Sequence, residues 1–175
     1  MTIRSIIQPD NGILRKKAIR VQSFDHKFQT LVDDMVETLL DAPGVGLAAP
    51  QIAVSQRLIV VRLQDDEESV KEFGDLAGKL FVVANPEIIK KSKELVEGVE
   101  GCLSIPGYIG LVDRHESIVI TGQDRKGKAL RIKANGWLAR VFQHEIDHLD
   151  GRLYIDIAKK VWQPRDEEED EVEME

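Results

Sequence analysis

The chain has 175 residues, 42% of them hydrophobic, enough to bury one real core. Its net charge of −7 is unevenly placed: residues 165–175 hold eight acids and one base, leaving 23 acids and 23 bases on the rest. A neutral body argues against nucleic-acid binding as the main activity, no apolar run approaches the ~20 residues of a membrane span, and a lone cysteine excludes an internal disulfide.

The opening MTIRSIIQPDNG lacks the apolar stretch of a signal peptide and the Arg/Ser-rich character of a transit peptide, so a cytoplasmic protein is expected. Residues 1–164 are read as a single domain and 165–175 as a flexible acidic tail. The first helix is predicted over 25–41, where Phe28, Leu31, Val32, Met35 and Leu39 recur at helical spacing and Pro43 follows. GVGLAAPQ, residues 44–51, is too rich in glycine and small residues for an ordinary helix. Residues 57–63 (RLIVVRL) and 80–89 read as strands, separated by a polar loop over 65–79. A hairpin is predicted from 116–122 and 129–134, its second arm alternating Leu130, Ile132 and Ala134 with Arg131 and Lys133. The last helix runs from about Gly136 to Asp150, with Asn135 as N-cap and Gly151 as its stop. Strands followed by one long late helix suggest an α+β domain.

That helix contains QHEIDHL, residues 143–149. Trp137, Val141, His144 and His148 fall on one stripe, with Leu138, Phe142, Glu145 and Leu149 beside it. Two imidazoles and a carboxylate on an apolar side are costly to bury unless a divalent cation joins them. Histidines four apart can share one ion, with Glu145 standing next to it. The bland alternative is a surface helix carrying HExxH by chance; the apolar flanks disfavour it. Asp147 points elsewhere, as a solvated acid or one that orients a ligand histidine.

A catalytic site of this kind needs a third protein ligand and an open position. The spacing HExxHxxGxxH has Gly151 in place but Tyr154 where the third histidine belongs. A downstream glutamate would fall near Glu168, in a tail too acidic to dock as a helix. His26 and His115 each stand alone in polar segments. Cys102, in the turn-rich run EGCLSIPG, remains: its thiolate suits a borderline or soft metal.

GVGLAAPQ (44–51), EGCLS (100–104) and QHEIDHL (143–149) together resemble the three signature motifs of the peptide deformylases, in the family's order, within a likeness extending from about residue 3 to residue 160. The resemblance implies an α+β fold of small β-sheets packed around a central HExxH helix, with 1–164 as the catalytic domain. It implies removal of the formyl group from N-formyl-methionyl nascent peptides. By position Cys102, His144 and His148 match the metal ligands, Glu145 the catalytic acid and base, and Gln51 with the backbone N–H of Leu103 the groups that bind the formyl oxygen. The family typically uses Fe2+, with Zn2+, Ni2+ or Co2+ able to take its place.

Substrate contacts are expected from Gly44, Gly46, Glu100 and Gly101 along the peptide, and from Val45, Trp137 and Val141 around the methionine side chain. Arg140 is expected to touch substrate backbone or reach solvent. A transient ribosome contact is expected, without direct nucleic-acid binding and with no docking through the acidic tail, which ribosomal RNA would repel. Two rival readings are a zincin endopeptidase, indifferent to Cys102, and a metal-stabilised module that holds methionine peptides without turnover.

Overall fold

The computed structural model describes residues 2–164; the acidic stretch 165–175, and with it the expected tail, lies outside the described residues. Helix α1, His26–Asp41, starts where the Asp25 carboxylate accepts the Phe28 N–H at 3.1 Å, and it buries Phe28, Val32, Met35 and Leu39 as their spacing predicts. Helix α3 is Gly136–Leu149. Asn135 occupies its N-cap position, but the side chain makes no capping bond. At the other end Gly151 takes φ +73°, and a Cβ there would lie 2.6 Å from the Arg15 carbonyl oxygen, so only glycine fits.

Five strands make one antiparallel sheet: β1 (Gly46–Ala48), β2 (Leu58–Arg62), β3 (Leu80–Lys91), β6 (Ser117–Gln123) and β7 (Ala129–Asn135), in the order β1-β2-β3-β6-β7. One face packs on α3, where Ile59, Val61, Val83 and Ile120 meet Leu138 and Phe142. The other face carries Leu58, Val60 and Ala84 against α1. Strand β2 is therefore covered on both sides, which is why its sequence is a continuous apolar run, whereas the alternating β7 is buried on one face alone. The Phe142 ring meets Phe81 edge to face at 5.5 Å and anchors α3 to this sheet.

A second antiparallel sheet, β4-β5-β8, is built from β4 (Leu95–Cys102), β5 (Ile105–His115) and β8 (Lys160–Trp162). Sequence reading missed these strands: β4 and β5 interleave glycine and charge with apolar residues, which hides the period. EGCLS is accordingly not a turn-rich loop. Cys102 is the last residue of β4, after a register shift that follows Gly101, and Leu103 and Ser104 make the turn. The polar stretch 65–79 is also more ordered than expected, with a two-turn helix α2 (Glu67–Phe73) capped by Asp66. Enclosed between the two sheets, α3 is buried on nearly every side.

Candidate metal centre

Helix α3 presents His144 and His148 on adjacent turns, their rings 5.0 Å apart, and the end of β4 brings Cys102 to them. The Cys102 sulfur lies 3.4 Å from Nε2 of His148, and one ligating atom from each of the three residues falls within 4.8 Å of the others. Neither Tyr154 nor His115 joins the cluster. Tyr154 instead stacks on the His144 ring at 6.0 Å and 24°, its hydroxyl donating to the Tyr108 carbonyl at 3.2 Å. His115 turns its Nδ1 to the Ser92 carbonyl.

Behind the histidines is a charged cluster that the sequence reading did not find. Glu100 accepts two bonds from Arg114, at 2.7 and 2.9 Å, and one from Arg140 at 2.9 Å, while Nδ1 of His144 lies 2.9 Å from Oε2. Asp147 is ion-paired with Arg114 at 2.6 Å and touches neither histidine, so Glu100 is the acid that orients a candidate ligand. Arg140 is buried and donates to the Val96 and Val112 carbonyls, so it does not reach solvent, and it lines the cleft beside the centre. A Cβ at Gly98 would lie 2.7 Å from its central carbon, so that glycine makes room for it. Arg140 was legible in part: a base inside the apolar run LARVF asks for a buried partner.

The electrostatics are divided between the two imidazoles. Burial disfavours charge on His144, but the Cys102 sulfur and the Glu100 carboxylate outweigh it and push its pKa up to about 10. His148 goes well below its ordinary value, through burial and the nearby positive charge of His144 and Arg114. Burial raises Glu145 to about 7, the His144 charge opposing it. Glu100 is held down at about 2, because its bonds to Arg114 and His144 overcome its own desolvation. Oε2 of Glu145 and Nδ1 of His148 are buried without a hydrogen-bond partner. A soft sulfur and two imidazoles drawn together, with an unpartnered Glu145 oxygen beside them, fit one divalent cation.

The centre opens into a cleft of about 640 Å³, whose lining includes every residue expected to touch substrate: Gly44, Val45, Gly46, Glu100, Gly101, Trp137 and Val141. Glu100 lines it although its carboxylate is engaged by Arg114, Arg140 and His144. Gly46 serves a purpose that the sequence did not show: a Cβ there would overlap the Glu145 carboxylate. Gln51 is buried, with its oxygen accepting the Ala48 N–H at 2.9 Å. Its NH2 group is thereby turned toward Ser104 Oγ at 3.2 Å and the Cys102 sulfur at 3.6 Å.

Residues 3–163 match the polypeptide deformylase family. A peptide deformylase of Symbiobacterium thermophilum is 47% identical over all of this chain and 76% of its own length, and one of Dehalococcoides mccartyi is 49% identical over 89% and 86%. The crystal structure of peptide deformylase from Ehrlichia chaffeensis superposes with a TM-score of 0.83 at 38% identity, covering 91% of this chain and 89% of that one. The expected α+β fold is the one observed, and with the family matched along almost the whole described chain, the protein belongs to the polypeptide deformylases.

Proposed function

We propose that Cys102, His144 and His148 hold one divalent cation, ferrous iron in the native protein, and that Glu145 acts beside it as acid and base in deformylation. The observation that carries this reading is the meeting of the β4 sulfur with both imidazoles next to an unpartnered Glu145 oxygen. A bound cation would supply Lewis acidity at the formyl oxygen and make a water easier to deprotonate. Glu145, whose burial favours its protonated form, is suited to take the proton of the attacking water and return it to the leaving amine. The Gln51 amide, fixed by Ala48, and the Leu103 N–H bind the charge that develops on the formyl oxygen; a single such donor is typically worth on the order of 10²–10³ in rate.

Strand β1 lies at the edge of its sheet, so an extended peptide can add alongside it between Gly44–Gly46 and Gly101. Val45, Trp137 and Val141 then receive the methionine side chain. Residues 1–164 act as one catalytic unit, on nascent chains in the cytoplasm, with a passing contact to the ribosome. A zincin endopeptidase is disfavoured, because the third donor is a thiol from β4 and the Tyr154 hydroxyl is turned to a carbonyl.

The test uses anaerobically prepared protein of measured metal content, assayed for formate release from a formyl-methionyl peptide and its unformylated twin. Formate from the first alone supports the reading, and cleavage of internal bonds would refute it. Glu145→Gln should keep its metal and lose 10²-fold or more in turnover, on the order of a general acid–base contribution; undiminished turnover would remove Glu145 from its role.

A further inference from the structure

Both chain neighbours of Ser104, Leu103 and Ile105, line the main cleft, whereas Ser104 itself is fully buried and forms no part of the cleft wall. Its hydroxyl oxygen accepts from Nε2 of Gln51 at 3.2 Å. Gln51 is also buried, on the short helical turn Ala49–Ile52, and its Oε1 accepts the Ala48 N–H at 2.9 Å. That bond decides which end of the amide faces Ala48, because the reversed amide would set one buried N–H against another. It does not fix the plane of the group. The last torsion of a glutamine is broad, so an amide tied at one atom still rocks. The NH2 group carries two hydrogens, and besides Ser104 it faces the Cys102 sulfur at 3.6 Å.

We infer that Ser104 is a positioning residue for the reaction: by holding one hydrogen of the Gln51 amide, it keeps the other clear of the Cys102 sulfur and available to the formyl oxygen. The inference rests on the deformylase reading and on Gln51 as a donor to that oxygen. An ionised Cys102 is a charged acceptor, and bonds to charged acceptors are about twice as strong as neutral ones. Without the hydroxyl, the amide swings toward the sulfur, and the donor meant for the transition state is misaimed. The cost falls on turnover rather than on binding, because charge develops on the formyl oxygen only as the reaction proceeds.

The experiment places Ser104→Ala, which removes only the hydroxyl oxygen, in the wild-type and Gln51→Ala backgrounds, with metal content measured in each. For formate release from a formyl-methionyl peptide, Ser104→Ala alone should lower kcat about 10-fold and leave KM within about twofold, a part of the 10²–10³ that a lost donor costs. In the Gln51→Ala background the same substitution should change kcat by less than about twofold, since the two side chains act as one unit. The cobalt-loaded proteins give a readout apart from activity. An amide hydrogen drawn to the sulfur stabilises its lone pairs, so the thiolate-to-cobalt charge-transfer band should move to shorter wavelength in Ser104→Ala. That shift should vanish once residue 51 is alanine. Equal losses from Ser104→Ala in both backgrounds, an unmoved band, or a loss confined to KM would each overturn the positioning role. Undiminished kcat in Gln51→Ala would also overturn it, by removing the donor on which Ser104 acts while leaving deformylation intact. Failure of the deformylase reading looks different: the unsubstituted protein would release no formate.

Discussion

Glu100→Gln is the sharpest perturbation of the charged cluster behind the histidines. In the native protein Arg114 is shared between Glu100 and Asp147, whereas Arg140 has Glu100 as its sole ion-pair partner in the cluster. Neutralising Glu100 leaves the Arg140 guanidinium buried with main-chain carbonyls alone. Breaking a buried pair from one side costs about 3–5 kcal/mol. The pKa gives a similar figure: a drop from 4.5 to about 2 corresponds to ~3 kcal/mol, at about 1.4 kcal/mol per decade. Its sign also sets a pH window. A depressed carboxylate stabilises the fold fully above 4.5, and that contribution fades as pH falls toward 2.

Urea unfolding with chelator present removes the metal's own linkage. Under those conditions the variant should be about 3 kcal/mol less stable at pH 7 and should lack the wild type's acid-side loss between pH 4.5 and 2. Chelator competition should show metal binding weakened by about 10- to 100-fold, since His144 loses its charged acceptor. A variant within about 0.5 kcal/mol of wild type, a range usual for surface substitutions, would show that the cluster is not the unit described.

Gly46→Ala should spare metal content but lower kcat at least about 10-fold, because the new methyl group must displace the Glu145 carboxylate; a kcat within twofold of wild type would mean that Glu145 relaxes freely. Tyr154→Phe keeps the ring on His144 and removes only the bond to Tyr108, so it should cost about 1 kcal/mol in urea unfolding and leave metal affinity unchanged. Weakened metal binding in Tyr154→Phe would show that the hydroxyl, not the ring, supports His144.

What the sequence showed was decided by how each segment is covered. Helices α1 and α3 were legible because each pairs an apolar stripe with a distinct stop, Pro43 after one and Gly151 after the other. Strand β2 was legible because burial on both faces makes its run continuous. Strand β4 was not. Its outward residues Leu95 and Val99 are exposed, while its inward positions carry Gly98 and Glu100, so the hydrophobic signal is inverted relative to an ordinary half-buried strand. The inversion has a cause in the site: Gly98 yields space to Arg140, and Glu100 carries the charge that Arg114, Arg140 and His144 all require.

The same reasoning explains why Cys102 could be chosen from sequence although its strand could not. The helix presents two imidazoles on a buried stripe, and burial of such groups demands a partner whatever the surrounding topology. Local chemistry therefore pointed to a third donor before any chain path was known, and the other candidates were poor ligands or stood alone in polar segments. Glu100 escaped because its need is created from outside: neither Arg114 in β5 nor Arg140 in α3 is near it in sequence, and only the pairing of β4 with β5 and the packing of that sheet on α3 bring them together. A residue whose partners are local can be read from its neighbours, whereas one whose partners converge from two other elements becomes readable only once the fold is known. Glu100 is of the second kind, and for that reason its substitution tests the packing of the β4–β5 sheet on α3 as much as the chemistry of His144.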